Sequence, residues 1–182
     1  MDPFRNGRKK AVLRKKRLVL EILLWSGLVL GVYFFSQWRG AATAQVQRLP
    51  PLLVTSLGGE PQVLAPQPGQ AMLVNFWSPD CPPCLAETPA LVALDKIFAG
   101  PHLRVVGIAT AGSSAEGVRD VARRFAIPYP LYLDREGEAS RSVGGVLLTP
   151  TTLLVNGHGE IVGRFVGAIS LPVIFWRLLW LG

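Results

Sequence analysis

A chain of 182 residues has room for one domain plus accessory segments, and with 49% hydrophobic and 17% charged residues it is too apolar to be disordered. Its net charge of +7 sits in one place: eight of the 19 basic residues fall in residues 1–17 against the single acid Asp2, and beyond them eleven basic residues face eleven acidic ones. The body of the chain is therefore neutral and offers nucleic acid no electrostatic footprint.

An apolar run follows the basic arm. Residues 18–38 carry one charge, Glu21. As a helix the run would rise roughly 31 Å, close to the hydrocarbon thickness of a bilayer. Trp25, Tyr33 and Trp38 suit the membrane interface, and the arm at residues 1–17 predicts a cytoplasmic N-terminus with everything after Arg39 exported. For that reason a topogenic role for the arm is preferred to nucleic-acid binding. A cleaved signal peptide competes with the anchor, because Ala42-Thr43-Ala44 has the small-x-small pattern of a cleavage site. The length of the run favours the uncleaved anchor, and either reading places the rest where disulfide chemistry is sustained. Residues 39–50 read as a polar tether and 51–182 as the folded domain.

Within 51–182 strand-like and helix-like segments alternate, the pattern of an α/β layer fold. Residues 52–57 and 62–64 flank Gly58-Gly59 and predict an N-terminal β-hairpin. Residues 72–77 (MLVNFW) form a nearly continuous apolar run of the buried-strand type, and helical spacing follows from Cys84 to about Phe98, with Pro89 inside it. A second buried strand is expected at 103–109, a helix at 115–125 capped by Ser113 or Ser114, and a strand at 130–133. Residues 138–145 predict a short helix closed by Gly144-Gly145. Two strands at 151–155 and 160–166 are joined through Asn156-Gly157, and a helix starts at Ser170, dense enough in apolar residues that the sheet should cover most of it.

The two cysteines of the chain, Cys81 and Cys84, lie in one C-x-x-C. A loop that short does little to constrain an unfolded chain, and two cysteines with the scattered His102 and His158 are too few for a structural zinc site. No metal and no cofactor beyond the cysteine pair is expected. The pair stands where a buried strand gives way to a helix, after a Ser78-Pro79-Asp80 turn. There the helix N-terminus favours thiolate over thiol, which makes Cys81 the nucleophile and Cys84, one turn on, the resolving thiol. Pro83 suits an early helical position. Asp80 either raises the pKa of its neighbour or is a solvated turn acid. Pro150, just before a strand, is a candidate cis proline.

The segment MLVNFWSPDCPPCLAETPAL, followed in order by VVGIAT, FAIPYPLYLD, LLTPTTLLVN and GEIVGRFVG, resembles the membrane-tethered thioredoxin-like reductases of the TlpA, ResA and CcmG/DsbE group over residues 50 to 180 or so. The resemblance implies a thioredoxin-like α/β fold, a central mixed sheet flanked by helices, with an N-terminal β-hairpin and an inserted helix at 115–125, preceded by one transmembrane helix. It implies that Cys81 is the exposed nucleophile and Cys84 its buried partner. Pro150 matches the cis proline facing the pair, and the backbone of Thr149 would pair with an extended substrate; Trp77 and Pro82 complete the expected substrate-binding residues. Glu87 matches a glutamate that manages protons near the cysteines, and Asn75 stands where cytosolic thioredoxins have a buried aspartate. Asp80 departs from the tryptophan most relatives have.

The resemblance further implies a single-pass protein of a bacterial inner membrane with its domain in the periplasm. It would act on protein disulfides, reloaded by a transmembrane electron donor of the DsbD/CcdA type, with apocytochrome c as one substrate class. A disulfide oxidase or isomerase uses the same reversible steps. A peroxidase would need a further cysteine, and a soft-metal-binding module would use the pair as ligands.

Overall fold

A computed structural model of the chain describes residues 20–21, 24–33, 47–98, 100, 102–169 and 171–180. Two compact units divide it, Met1–Trp38 and Arg39–Gly182. In the first, residues 20–21 and 24–33 are helical with exposed side chains, and among the described residues no helix is long and apolar enough to cross a membrane. The basic arm 1–17, the rest of the 18–38 run, the cleavage pattern at 42–44 and the tether up to residue 46 lie outside the described residues.

The second unit holds strands β1 (Gln47–Arg48), β2 (Leu52–Ser56), β3 (Pro61–Leu64), β4 (Ala71–Trp77), β5 (Leu103–Ala109), β6 (Leu131–Leu133), β7 (Thr151–Val155) and β8 (Glu160–Val166). Its helices are α1 (Pro82–Phe98), α2 (Ala115–Phe125), α3 (Glu138–Ser142) and α4 (Leu171–Trp180). One mixed sheet runs in the order β1-β8-β7-β4-β5-β6-β2-β3. The parallel pairs, β4 with β5 and β5 with β6, are those whose connections contain α1 and α2, because parallel neighbours need a crossover long enough to return the chain. This is the thioredoxin-like arrangement with its N-terminal hairpin: β2 and β3 pair with each other, and β2 joins them to the sheet through β6.

Strand β4 is buried along its whole length, which explains why its sequence lacks polar alternation. Its side chains still alternate between faces. Met72, Val74 and Phe76 pack with Val106, Ile108, Leu153 and Ala139 of α3, whereas Leu73 packs with Leu91 and Leu94 of α1 and Ile174 of α4. At the C-terminal end of the strand, Trp77 meets Cys84 of α1 and Val118 and Val121 of α2 in a third cluster. The disulfide therefore lies where the central strand, α1 and α2 converge.

Several boundaries differ from those expected. The domain begins before residue 51: Gln47 and Arg48 pair with Ile161 and Glu160, and Leu49 is buried at 5% exposure. A two-residue strand is too short to show alternation, so this pairing left no mark in the sequence. Helix α1 starts at Pro82 instead of Cys84, because prolines at the first helical turn forfeit only N–H groups that have no helical acceptor anyway. Helix α3 stops at Ser142, and Gly144 and Gly145 follow with φ of 85° and 89°. On α4, Ile174 is fully buried, but Phe175 and Trp176 are 45% and 57% exposed, since a helix lying on a sheet turns one face to it. Helix α2 uses Ser114, whose Oγ accepts the Gly117 N–H at 3.0 Å.

Candidate active site

Beyond Trp77 the chain turns through Ser78-Pro79-Asp80, and the Cys81 N–H donates to Ser78 O at 3.2 Å. Cys81 thereby becomes the residue that caps α1. Its carbonyl accepts the Leu85 N–H at 3.1 Å, and its Sγ accepts the Cys84 N–H at 3.3 Å. In most helices an oxygen-bearing side chain fills that role. Pro82 and Pro83 occupy the first two helical positions and have no N–H to offer, so the first donor of the helix is the one aimed at the sulfur. Cys81 is half-buried and Cys84 is 3% exposed. The two are joined as a disulfide, with 5.2 Å between Cα atoms.

Across from the pair, the Thr149–Pro150 peptide bond is cis. Thr149 O lies 3.5 Å from Cys81 Sγ, near enough to accept from its S–H when the pair is reduced. Pro150 is buried at the start of β7, and its carbonyl accepts the Gly167 N–H at 2.8 Å. Thr149 is half-buried and Pro82 exposed, so both border the accessible sulfur. Trp77, expected among the substrate-binding residues, does not join them. At 3% exposure it is packed behind the disulfide with Cys84, Ala109 and Leu133, and a strand-end tryptophan enclosed by three elements has no surface to give a substrate. The exposed Asp80 carboxylate is screened by water.

One turn after Cys84, on the same side of α1, Glu87 is 4% exposed. Its Oε1 accepts from Asn75 Nδ2 at 2.7 Å, and its Oε2 accepts from the Ile169 N–H at 2.8 Å. Asn75 Nδ2 also donates to Thr152 Oγ1 at 2.9 Å. Burial pushes the Glu87 carboxyl up from 4.5 to about 7, with the two hydrogen bonds pulling the other way. Tyr129 has its phenol pushed up by burial and by the charges of Glu87 and Asp95. Glu87 thus sits one turn along α1 from the buried cysteine, with both of its carboxylate oxygens held by hydrogen bonds.

Of the residues named from sequence, the structure sets Thr149 and the cis Pro150 against the Cys81–Cys84 pair with Pro82 beside it, places Glu87 one turn along α1, and turns Trp77 inward. Sequence reasoning missed Thr152 and Ile169. The signal for Thr152 was a hydroxyl in a strand directly opposite Asn75, legible only once the β4–β7 register is known; Ile169 acts through its main chain, which no side-chain pattern records. Among the described residues, no group of three or more His, Cys, Asp or Glu is placed to hold a metal ion.

A redox-active pair capping a helix after the central strand, opposite a cis proline, defines a thiol–disulfide oxidoreductase on a thioredoxin-like fold. The Redoxin family model matches residues 43–173, and the chain belongs to that family. It is 24% identical over 165 residues to the thiol-disulfide oxidoreductase ResA of Geobacillus kaustophilus, covering 90% of this chain and 91% of that one. It is 31% identical over 126 residues to the thioredoxin-like protein YneN of Bacillus subtilis, covering 68% and 72%. Among solved structures, a thiol:disulfide interchange protein of the thioredoxin family from Chlorobium tepidum superposes with a TM-score of 0.65 at 29% identity, over 76% of this chain and 99% of that one.

Proposed function

We propose that this oxidoreductase is a reductase of protein disulfides that works outside the cytoplasm, held at a bacterial inner membrane by residues 18–38. In the reduced protein the Cys81 thiolate attacks one sulfur of a substrate disulfide, and the other substrate sulfur leaves as a thiolate. Cys84, its proton taken by the Glu87 carboxylate, then attacks Cys81 Sγ. The second substrate sulfur leaves, and the Cys81–Cys84 disulfide remains. Both substrate sulfurs end as thiols, the two electrons having come from the cysteine pair. A dithiol donor of the DsbD/CcdA type restores the pair by the same exchange in reverse.

The observation that carries the reducing direction is the sparse stabilisation of the Cys81 sulfur. With Pro82 and Pro83 silent, the helical N–H that reaches it is that of Cys84, at 3.3 Å. A site that stabilises its thiolate weakly favours its own disulfide, which means that its dithiol is a good electron donor. Location outside the cytoplasm is supported by the basic arm followed by the apolar run at 18–38.

Equilibration of the full-length chain with redox buffers tests the direction. A potential near or below about −250 mV is expected, and one near about −120 mV would make the protein an oxidant. Labelling of Cys81 in intact spheroplasts by a membrane-impermeant maleimide tests the location, and protection until lysis would overturn it. Reduction of oxidised apocytochrome c peptides is the first substrate assay to run.

A further inference from the structure

Helices α1 and α4 meet away from the disulfide. Phe98, the last residue of α1, and Phe175 of α4 pack edge to face with ring centroids 5.4 Å apart. Around that contact Ile97 is 67% exposed, and Phe175 and Trp176 also face water. Singly exposed apolar residues are ordinary, but three large ones gathered at one contact between helices mark a surface that something covers. Cations frame it. Residues 96–104 and 167–182 contain Lys96, His102, Arg104 and Arg177 and no acid, and Asp95, one residue earlier, is half-buried. Aromatic and aliphatic side chains with Lys and Arg at their margin suit a phospholipid interface, where rings enter the headgroup layer and cations meet phosphate.

The place where the chain enters the domain indicates which surface lies near. Arg177 Nη1 donates to Val162 O at 2.9 Å and ties α4 to β8. Gln47 of β1 pairs with Ile161, the residue before Val162, so the chain arrives at β8 beside α4. Eight residues, 39–46, separate the apolar run 18–38 from β1. Fully extended they span about 27 Å at most. A tether that short keeps this face close to the surface from which the chain emerges, and contact then needs no diffusional search.

We infer that the face formed by Ile97, Phe98, Phe175 and Trp176 docks on an anionic phospholipid surface. The inference rests on the reading that residues 18–38 hold the chain at a membrane, and it adds how the domain lies there. A second copy set on this face by a two-fold axis would bring the same cations up against each other, whereas lipid phosphates neutralise them. Helix α1 runs from the disulfide to Phe98, about 24 Å along its axis. Docking at the Phe98 end therefore turns Cys81 away from the lipid and toward the aqueous phase that holds its substrates.

The test places the photoreactive p-benzoylphenylalanine in the full-length chain at Phe175, at Trp176, or at the exposed Glu116, which lies in the first turn of α2 near the disulfide. Each chain is reconstituted in vesicles of phosphatidylcholine and phosphatidylglycerol, floated, irradiated and analysed by intact mass. Reaction with a small aromatic disulfide at the wild-type rate shows that each variant is folded. Phospholipid adducts are expected at Phe175 and Trp176 at about ten times the yield at Glu116, and should fall about fivefold in phosphatidylcholine alone, roughly the factor one basic residue contributes near an anionic surface. Floated chains without a lipid adduct at either position, equal adducts at Glu116, yields indifferent to phosphatidylglycerol, or a covalent dimer in place of the lipid adduct would each overturn docking. Chains that do not float with the vesicles would remove the membrane reading, and docking with it.

Discussion

Asn75 Nδ2 donates to Glu87 Oε1 at 2.7 Å and so joins the central strand to the helix that bears Cys84. The same amide nitrogen donates to Thr152 Oγ1 at 2.9 Å on the neighbouring strand, which commits both of its hydrogens and fixes its orientation. An amide holds no titratable proton. In this network the capacity to take a proton therefore belongs to Glu87, and Asn75 and the Ile169 N–H set how firmly its carboxylate is held.

The oxidised protein should lose stability as pH rises from about 4.5 to about 7. Glu87 ionises at about 7 when folded and at its ordinary 4.5 when unfolded, so between those values the unfolded chain releases the proton and the folded one keeps it. The contribution is fully present below 4.5 and gone above 7. One pKa unit being worth about 1.36 kcal/mol, the loss is about 3 kcal/mol. Urea unfolding at a series of pH values checks this, and Glu87→Gln should flatten the profile across that window.

Asn75→Ala should move the same profile. Removing the amide takes away a hydrogen bond that pulls the Glu87 pKa down, so the midpoint is expected above 7, with a general loss of about 1–3 kcal/mol for a buried carboxyl left short of a donor. Urea midpoints beside those of wild type measure both effects, and an unmoved midpoint would show that Asn75 does not tune the carboxyl.

Gly107→Ala should destabilise the floor of the site. A Cβ there would come 2.5 Å from Leu131 Cδ2, closer than packed atoms approach, and 3.1 Å from Trp77 Nε1, tighter than most packed contacts. Overpacking of this kind costs about 1–3 kcal/mol. Near-ultraviolet circular dichroism would report displacement of Trp77, and denaturant midpoints the loss.

Ala126→Gly should stabilise the domain. Ala126 ends α2 at φ 47°, ψ 51°, a left-handed conformation that glycine adopts without penalty, and it is exposed there. A gain of about 0.5–1 kcal/mol is expected in thermal unfolding, unaccompanied by any change in the reactivity of Cys81.

Much of this molecule was legible before any coordinates. The apolar run MLVNFW marked the central strand, the helical spacing after it marked α1, and the Cys81–Cys84 pair at their junction marked the chemistry, because burial and helix ends leave one-dimensional signatures. What stayed hidden depends on register and on main-chain partners. Asp134 is one case: it is 1% exposed and accepts from Ala139 N, Ser140 N and Ser140 Oγ, organising α3 across a gap that no capping pattern describes. Arg164 is another, since its acceptors are carbonyls nineteen and twenty-one residues earlier in the chain. Trp77 was misjudged for a related reason: an aromatic beside a reactive pair is equally consistent with a platform and a floor until the neighbouring helices are placed.

The proposed chemistry depends on the division of labour between Cys81 at the surface and Cys84 beneath it. Intact-mass analysis of two single-cysteine variants, Cys84→Ala and Cys81→Ala, each incubated at neutral pH with an oxidised peptide, separates them directly. The account predicts a peptide mixed disulfide on the Cys84→Ala chain through Cys81, and little or none on the Cys81→Ala chain. Equal adducts on both variants, or an adduct confined to Cys84, would contradict it.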